Sequence, residues 1–182
     1  TPSYIPQIAF YFLTGHKDAA NKLTLFGKIA HHSNGQDGNF YTDDGKVNLQ
    51  SGNFATNYLE LGFLQSSYSQ NLKAFKFIKS SFEIHPKSWM LEELQGQYSG
   101  LRWHNTFLAY KLPMKTNPLP NEKQRANFSI KAETTIMLDN FNNWNYFDAK
   151  RLNASLILYY HPKFLEDIGF FVQFYQGMDY YN

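Results

Sequence analysis

From residue 127 to residue 138 the chain changes character at every step. Phe128, Ile130, Ala132, Thr134, Ile136 and Leu138 share one parity, and Asn127, Ser129, Lys131, Glu133 and Thr135 share the other. Successive side chains of a strand point to opposite faces, so this run reads as a strand with one apolar and one polar face. Three more runs repeat the pattern. In 151–160, Leu152, Ala154, Leu156, Leu158 and Tyr160 oppose Arg151, Asn153 and Ser155. In 23–33, Leu23, Leu25, Gly27 and Ile29 lead to His31 and Ser33 on one face, opposite Thr24, Lys28 and His32. In 57–63, Asn57, Leu59, Leu61 and Phe63 oppose Tyr58 and Glu60. Weaker alternation over 4–13, 72–84, 101–112 and 168–177 brings the expected number of strands to eight. Turn-rich pieces at 33–52, 66–70, 85–100, 113–124 and 139–148 separate them, with one short helical turn expected around 88–94.

No stretch approaches the roughly 18–20 apolar residues of a membrane-spanning helix. Lysine and arginine number 17 against 15 acidic residues, a net charge of +2, so nothing points to nucleic acid. The absence of cysteine excludes disulfides, thiolate metal sites and a cysteine nucleophile. Alternation defines two faces without saying which is inside: a soluble barrel turns its apolar face inward, a membrane barrel turns it toward lipid. Aromatic residues are 18 % of the chain, and Trp89, Trp103, Tyr110, Trp144, Tyr159 and Tyr160 fall near strand ends, where rings settle at a membrane interface. The expected fold is all-β, a single antiparallel transmembrane barrel domain over residues 1–182.

The stretch Ile29-Ala30-His31-His32-Ser33-Asn34-Gly35 carries the chemistry. If the strand continues through it, His31 and Ser33 lie two apart on the apolar face, close enough for an imidazole to take a hydroxyl proton. Asn57 shares the apolar parity of the next strand, and its amide could hold the imidazole in one tautomer. The same residues also read as a strand running into a loop, with Asn34-Gly35 and Asp37-Gly38 as turn signals.

His31-x-Ser33-Asn34-Gly35, with an Asn at the start of the next strand, resembles the signature of outer membrane phospholipase A, a calcium-dependent family of barrel hydrolases. Tyr4-x-Pro6-Gln7 with Ile8-Ala9-Phe10, and Gln173-x-Tyr175-x-Gly177 with Asp179-Tyr180, resemble two further motifs of that family, in the same order. The resemblance implies a bacterial outer-membrane enzyme, active as a homodimer, that cleaves glycerophospholipid esters on its lipid-facing surface. It implies Ser33 as nucleophile, His31 as general base and Asn57 as orienting group, with the backbone amides of Ser33 and Gly35 holding the oxyanion. It also implies bound calcium, for which Gln36 and Ser51 are the candidate ligands on this chain.

Three departures accompany it. The loop after Gly35 is longer, and its Asp37, Asn39, Asp43 and Asp44 lack EF-hand spacing. The run Ser51-Gly52-Asn53-Phe54-Ala55-Thr56-Asn57 leaves the orienting residue open between Asn57 and Asn53. The family has about twelve strands against eight here, so the chain is either a fragment lacking N-terminal strands and the last one or a smaller variant. The rival readings are a non-catalytic, porin-like or structural outer-membrane barrel and a soluble barrel holding an apolar ligand.

Overall fold

The computed structural model describes residues 3–14, 21–48, 50–113, 127–162 and 168–177. Eight strands follow in chain order: β1 Gln7–Thr14, β2 Lys22–Ser33, β3 Ala55–Ser69, β4 Ala74–Ile84, β5 Leu101–Pro113, β6 Asn127–Met137, β7 Leu152–His161 and β8 Phe170–Gln176. Each pairs antiparallel with its neighbour in sequence, in one sheet of order β1 to β8. Among the described residues there is no α-helix, and the turn expected around 88–94 is two 3₁₀ turns, Lys87–Trp89 and Glu92–Leu94. The expected turns at 114–124 and the Asp179-Tyr180 pair lie outside the described residues.

Two expectations are corrected at strand ends. The turn placed at 66–70 is instead the last part of β3, which pairs Ser66 with Phe77 and Tyr68 with Phe75. Serines do not end a strand when a partner strand satisfies their backbone groups, and the Tyr68 and Phe75 rings pack edge to face at 5.2 Å. β1 begins at Gln7 and not at Tyr4, because Pro6 has no amide hydrogen for the ladder and can only accept, from His31 N at 3.0 Å.

Closure is a separate matter. Among the described residues β8 does not pair with β1, so the sheet is open and does not by itself complete the expected barrel. The curl accumulated over eight strands does not return the last to the first. It is nevertheless strong: Lys79 on β4 sets its ammonium over the Phe26 ring on β2, two strands away, at 4.9 Å.

The curl decides which face is inside. Ile29 and Leu61 are 52 % and 56 % exposed, and Leu25, Phe82, Phe107, Phe128 and Leu156 stand exposed on the same convex face. On the concave face Glu60 is 3 % exposed and Glu83 8 %, with Ser81, Arg102, Ser129 and Asn153 buried beside them. Apolar side chains therefore point out and charged ones in, the reverse of a water-soluble barrel.

Buried charges persist only when paired and hydrogen-bonded. Glu60 on β3 accepts from Lys28 on β2 and, at 2.8 Å and 2.6 Å, from Lys79 and Ser81 on β4. Glu83 accepts from Arg102 at 3.0 Å and from His85 at 2.8 Å, with His104 Nε2 3.2 Å from its second oxygen. These pairs lie against buried apolar rings, Lys28 over Tyr58 and Lys79 over Phe26. Glu83→Ala removes the carboxylate on which Arg102, His85 and His104 converge, and the expected loss of stability in a denaturant titration is about 3 kcal/mol or more. A change below about 1 kcal/mol would mean that the cluster contributes little.

Candidate active site at the ends of β2 and β3

The antiparallel register places His31 directly opposite Asn57 and Ser33 opposite Ala55. His31 and Ser33 share the convex, apolar face, as the parity of β2 requires. His31 Nδ1 and Asn57 Oδ1 are hydrogen-bonded at 2.8 Å. Asn53 does not meet the imidazole: it stands in the β2–β3 loop, where its backbone N–H donates to Gly38 O at 2.8 Å. His32 points to the concave face, with Nε2 2.7 Å from Ser3 Oγ and its ring edge-on to Phe54.

A backbone group that sequence reasoning missed sets the geometry. The Asn57 amide nitrogen donates to the Trp89 carbonyl at 3.3 Å. With its NH₂ committed there, the Asn57 oxygen faces His31, so Nδ1 must carry the imidazole proton and Nε2 is left basic. The β4–β5 connection reaches Asn57 because it runs along the start of β3. Leu91 N donates to Ala55 O at 3.2 Å, and Met90 bridges to Thr56. The sequence reads as a short helical turn around 88–94, but a main-chain carbonyl has no side-chain signal to announce its role.

Behind Asn57, on the concave face, Thr56 Oγ1 lies 3.0 Å from His85 Nδ1, and His85 Nε2 lies 2.8 Å from Glu83 Oε1. Burial holds the His85 imidazole below its ordinary 6.5; the bond to Glu83 pulls it up and the Arg102 charge pushes it down again. A neutral imidazole donating to Glu83 from Nε2 accepts from the Thr56 hydroxyl at Nδ1, so this chain fixes Thr56 and the residue after it. Because the folded value is depressed, the unfolded chain binds the extra proton first as pH falls below 6.5. The contribution to stability is thus complete above pH 6.5 and declines below it. Thermal unfolding should shift to lower temperature between pH 6.5 and 5, with a shallower dependence in His85→Gln; an unchanged slope in that variant would locate the titration elsewhere.

Ser33 stands beside this pair without joining it. Among the described residues its hydroxyl has no hydrogen bond to the imidazole. Its amide already donates to Tyr4 O at 3.0 Å, and that of Asn34 donates to Phe54 O at 3.1 Å. Of the two amides expected to hold an oxyanion, the Ser33 N–H is therefore engaged, whereas the Gly35 N–H donates to no described residue. Gly35 has φ +66°, and a Cβ there would lie 2.6 Å from the Tyr4 ring, so the turn that presents this amide requires glycine. The Asn34 side chain braces the turn, donating to Gly52 O and accepting from the amides of Gln36 and Phe54.

Of the two expected calcium ligands, only Gln36 has an oxygen to spare. Gln36 Oε1 is buried with no hydrogen-bond partner, a spare oxygen of the kind a hard cation takes. Ser51 is committed: its carbonyl accepts from Gly38 N and its hydroxyl from Asn48 Nδ2, each at 3.0 Å. One spare neutral oxygen is fewer than the roughly six to eight that calcium takes, so these two residues would hold the ion only together with oxygens from elsewhere.

Comparisons of the chain with protein families, with curated proteins and with solved structures return no match.

Proposed function

We propose that this chain is a membrane-embedded acyl hydrolase that cleaves ester bonds of glycerophospholipids, its convex face toward the lipid of a bacterial outer membrane. The observation that carries the reading is the His31–Asn57 hydrogen bond at 2.8 Å, made on an exposed apolar face with a serine two residues along the same strand. Polar groups on such a face are costly, and a paired His and Asn beside a hydroxyl have a chemical use there.

In this reading His31 Nε2 removes the Ser33 hydroxyl proton as Oγ bonds to the ester carbonyl carbon, and the carbonyl electron pair moves onto oxygen, where the Gly35 N–H can donate. Collapse breaks the bond to the glycerol oxygen, which takes the proton back from the imidazolium. Water then repeats the sequence on the acyl-serine and releases the fatty acid. The Ser33 hydroxyl must come within hydrogen-bond reach of Nε2, a tightening expected when substrate excludes water.

Calcium and a homodimer enter through the resemblance alone. Any ligands beyond Gln36 would come from a second copy or from water, and undiminished turnover in excess chelator would remove the metal from the reading. The competing reading, a non-catalytic outer-membrane barrel, draws on the missing Ser33–His31 hydrogen bond. Covalent labelling by a serine-directed sulfonyl fluoride separates the two. The hydrolase labels at Ser33, and labelling is lost in His31→Ala; an unlabelled Ser33 in folded protein leaves the passive barrel.

A further inference from the structure

Three backbone N–H groups in a row lead from the end of β2 into the β2–β3 loop, and their partners differ. The Asn34 N–H donates to Phe54 O at 3.1 Å, and the Gln36 N–H donates to the Asn34 side-chain oxygen at 3.3 Å. Between them the Gly35 N–H donates to no described residue, and Gly35 is exposed. We propose that Asn34 is a positioning residue: its side chain holds the turn in the conformation that leaves the Gly35 amide, and neither neighbouring one, open to the substrate oxyanion. This rests on the hydrolase reading and adds to it the residue that fixes the oxyanion donor.

Three hydrogen bonds from one side chain support the assignment. Asn34 Nδ2 donates to Gly52 O at 2.7 Å, and Oδ1 accepts from Phe54 N at 3.0 Å as well as from Gln36 N. The bond to Gln36 closes an Asx turn over Gly35, which is all that a local turn needs. The other two cross 18 and 20 residues of chain and tie the exit of β2 to the approach to β3. Only an amide side chain donates at one atom and accepts twice at the other, so no hydroxyl or carboxylate reproduces the set.

The nucleophile is held by different bonds. Ser33 meets Tyr4 through both its N–H, at 3.0 Å, and its carbonyl, at 2.8 Å, while the Tyr4 ring backs Gly35 so closely that a Cβ there would lie 2.6 Å from it. Ser33 is thus fixed by the Tyr4 backbone and Gly35 by the Asn34 side chain. Loosening the second should lower the rate without altering the His31–Asn57 bond.

The test compares the native chain with Asn34→Ala and Asn34→Asp on a chromogenic ester and measures inhibition by an alkylboronic acid. Ser33 Oγ bonds to boron as its proton passes to His31 Nε2, leaving a tetrahedral boronate anion that needs the same donor as the ester oxyanion. In Asn34→Ala kcat should fall about 10²-fold with KM changed less than about two-fold, and the boronate inhibition constant should rise by about the factor that kcat loses. The pH dependence of kcat/KM, which reports the general base, should stay in place. Asn34→Asp keeps both acceptor bonds and loses the one to Gly52, so about a ten-fold loss is expected in both readouts. Native kcat in Asn34→Ala overturns the positioning role and leaves the hydrolase intact. A loss of kcat in that variant with unchanged boronate inhibition, or with a displaced pH profile, overturns it too, because the fault then lies in nucleophile and base. Should Asn34→Ala fail to fold, Asn34→Asp decides: parallel losses in kcat and boronate affinity support the role, and native values overturn it. A folded native chain that hydrolyses no ester overturns the hydrolase reading itself, and the role of Asn34 with it.

Discussion

Ser33→Ala should reduce ester hydrolysis by at least about 10³-fold while the sheet stays folded. The hydroxyl makes no hydrogen bond among the described residues, so its removal breaks nothing that holds β2 to its neighbours, and the Ser33 backbone bonds to Tyr4 persist. His31→Ala should lose as much, and the double variant no more than either single one, because base and nucleophile act as one unit. His32, on the concave face against Ser3, supplies the control: His32→Ala should keep most turnover. Initial rates on a chromogenic ester, with folding followed by heat-modifiable gel mobility, decide the matter. Retained turnover in Ser33→Ala would end the triad reading, and a loss in His32→Ala equal to that in His31→Ala would mean that the strand parity serves no catalytic arrangement.

The second large effect belongs to Asn57. Removing the amide in Asn57→Ala frees His31 to adopt either tautomer and should cost roughly 10²-fold in kcat, less than loss of the nucleophile because the residue makes no bond to substrate. Asn57→Asp is the more informative change. A carboxylate still accepts from His31 Nδ1, but its other oxygen takes the place of the NH₂ that donates to the Trp89 carbonyl at 3.3 Å. Two acceptors then face one another with no proton between them. Activity should therefore rank Asn above Asp above Ala. Asp at or above the level of Asn would show that the Trp89 carbonyl places no demand on this residue, and Ala at the level of Asn would dismiss the orienting role.

Much of this arrangement is written locally. The period of two in residues 127–138 or 151–160 fixes strands whatever lies beside them, because alternate side chains must separate onto opposite faces. The same rule puts His31 and Ser33 on one side of β2 and His32 on the other without reference to any partner. Bounds were less legible where local signals misled. Ser66 and Ser67 resemble a turn, and only pairing with β4 shows them to be strand.

Alternation is symmetric between the two faces, so no local pattern could say which one is buried. That was decided by the curl, which brings Lys28, Glu60 and Lys79 together from three strands and leaves Ile29 and Leu61 outside. Equally, the choice between Asn57 and Asn53 depends on the β2–β3 register, and a loop of this length allows more than one. The Trp89 carbonyl that orients Asn57, and the Tyr4 carbonyl that occupies the Ser33 amide, are main-chain atoms common to every residue. Local alternation settles which side chains can share a face. The tertiary structure decided which face is inside, which residues meet across strands and which amides remain free, because pairings between distant segments form only when the whole sheet does.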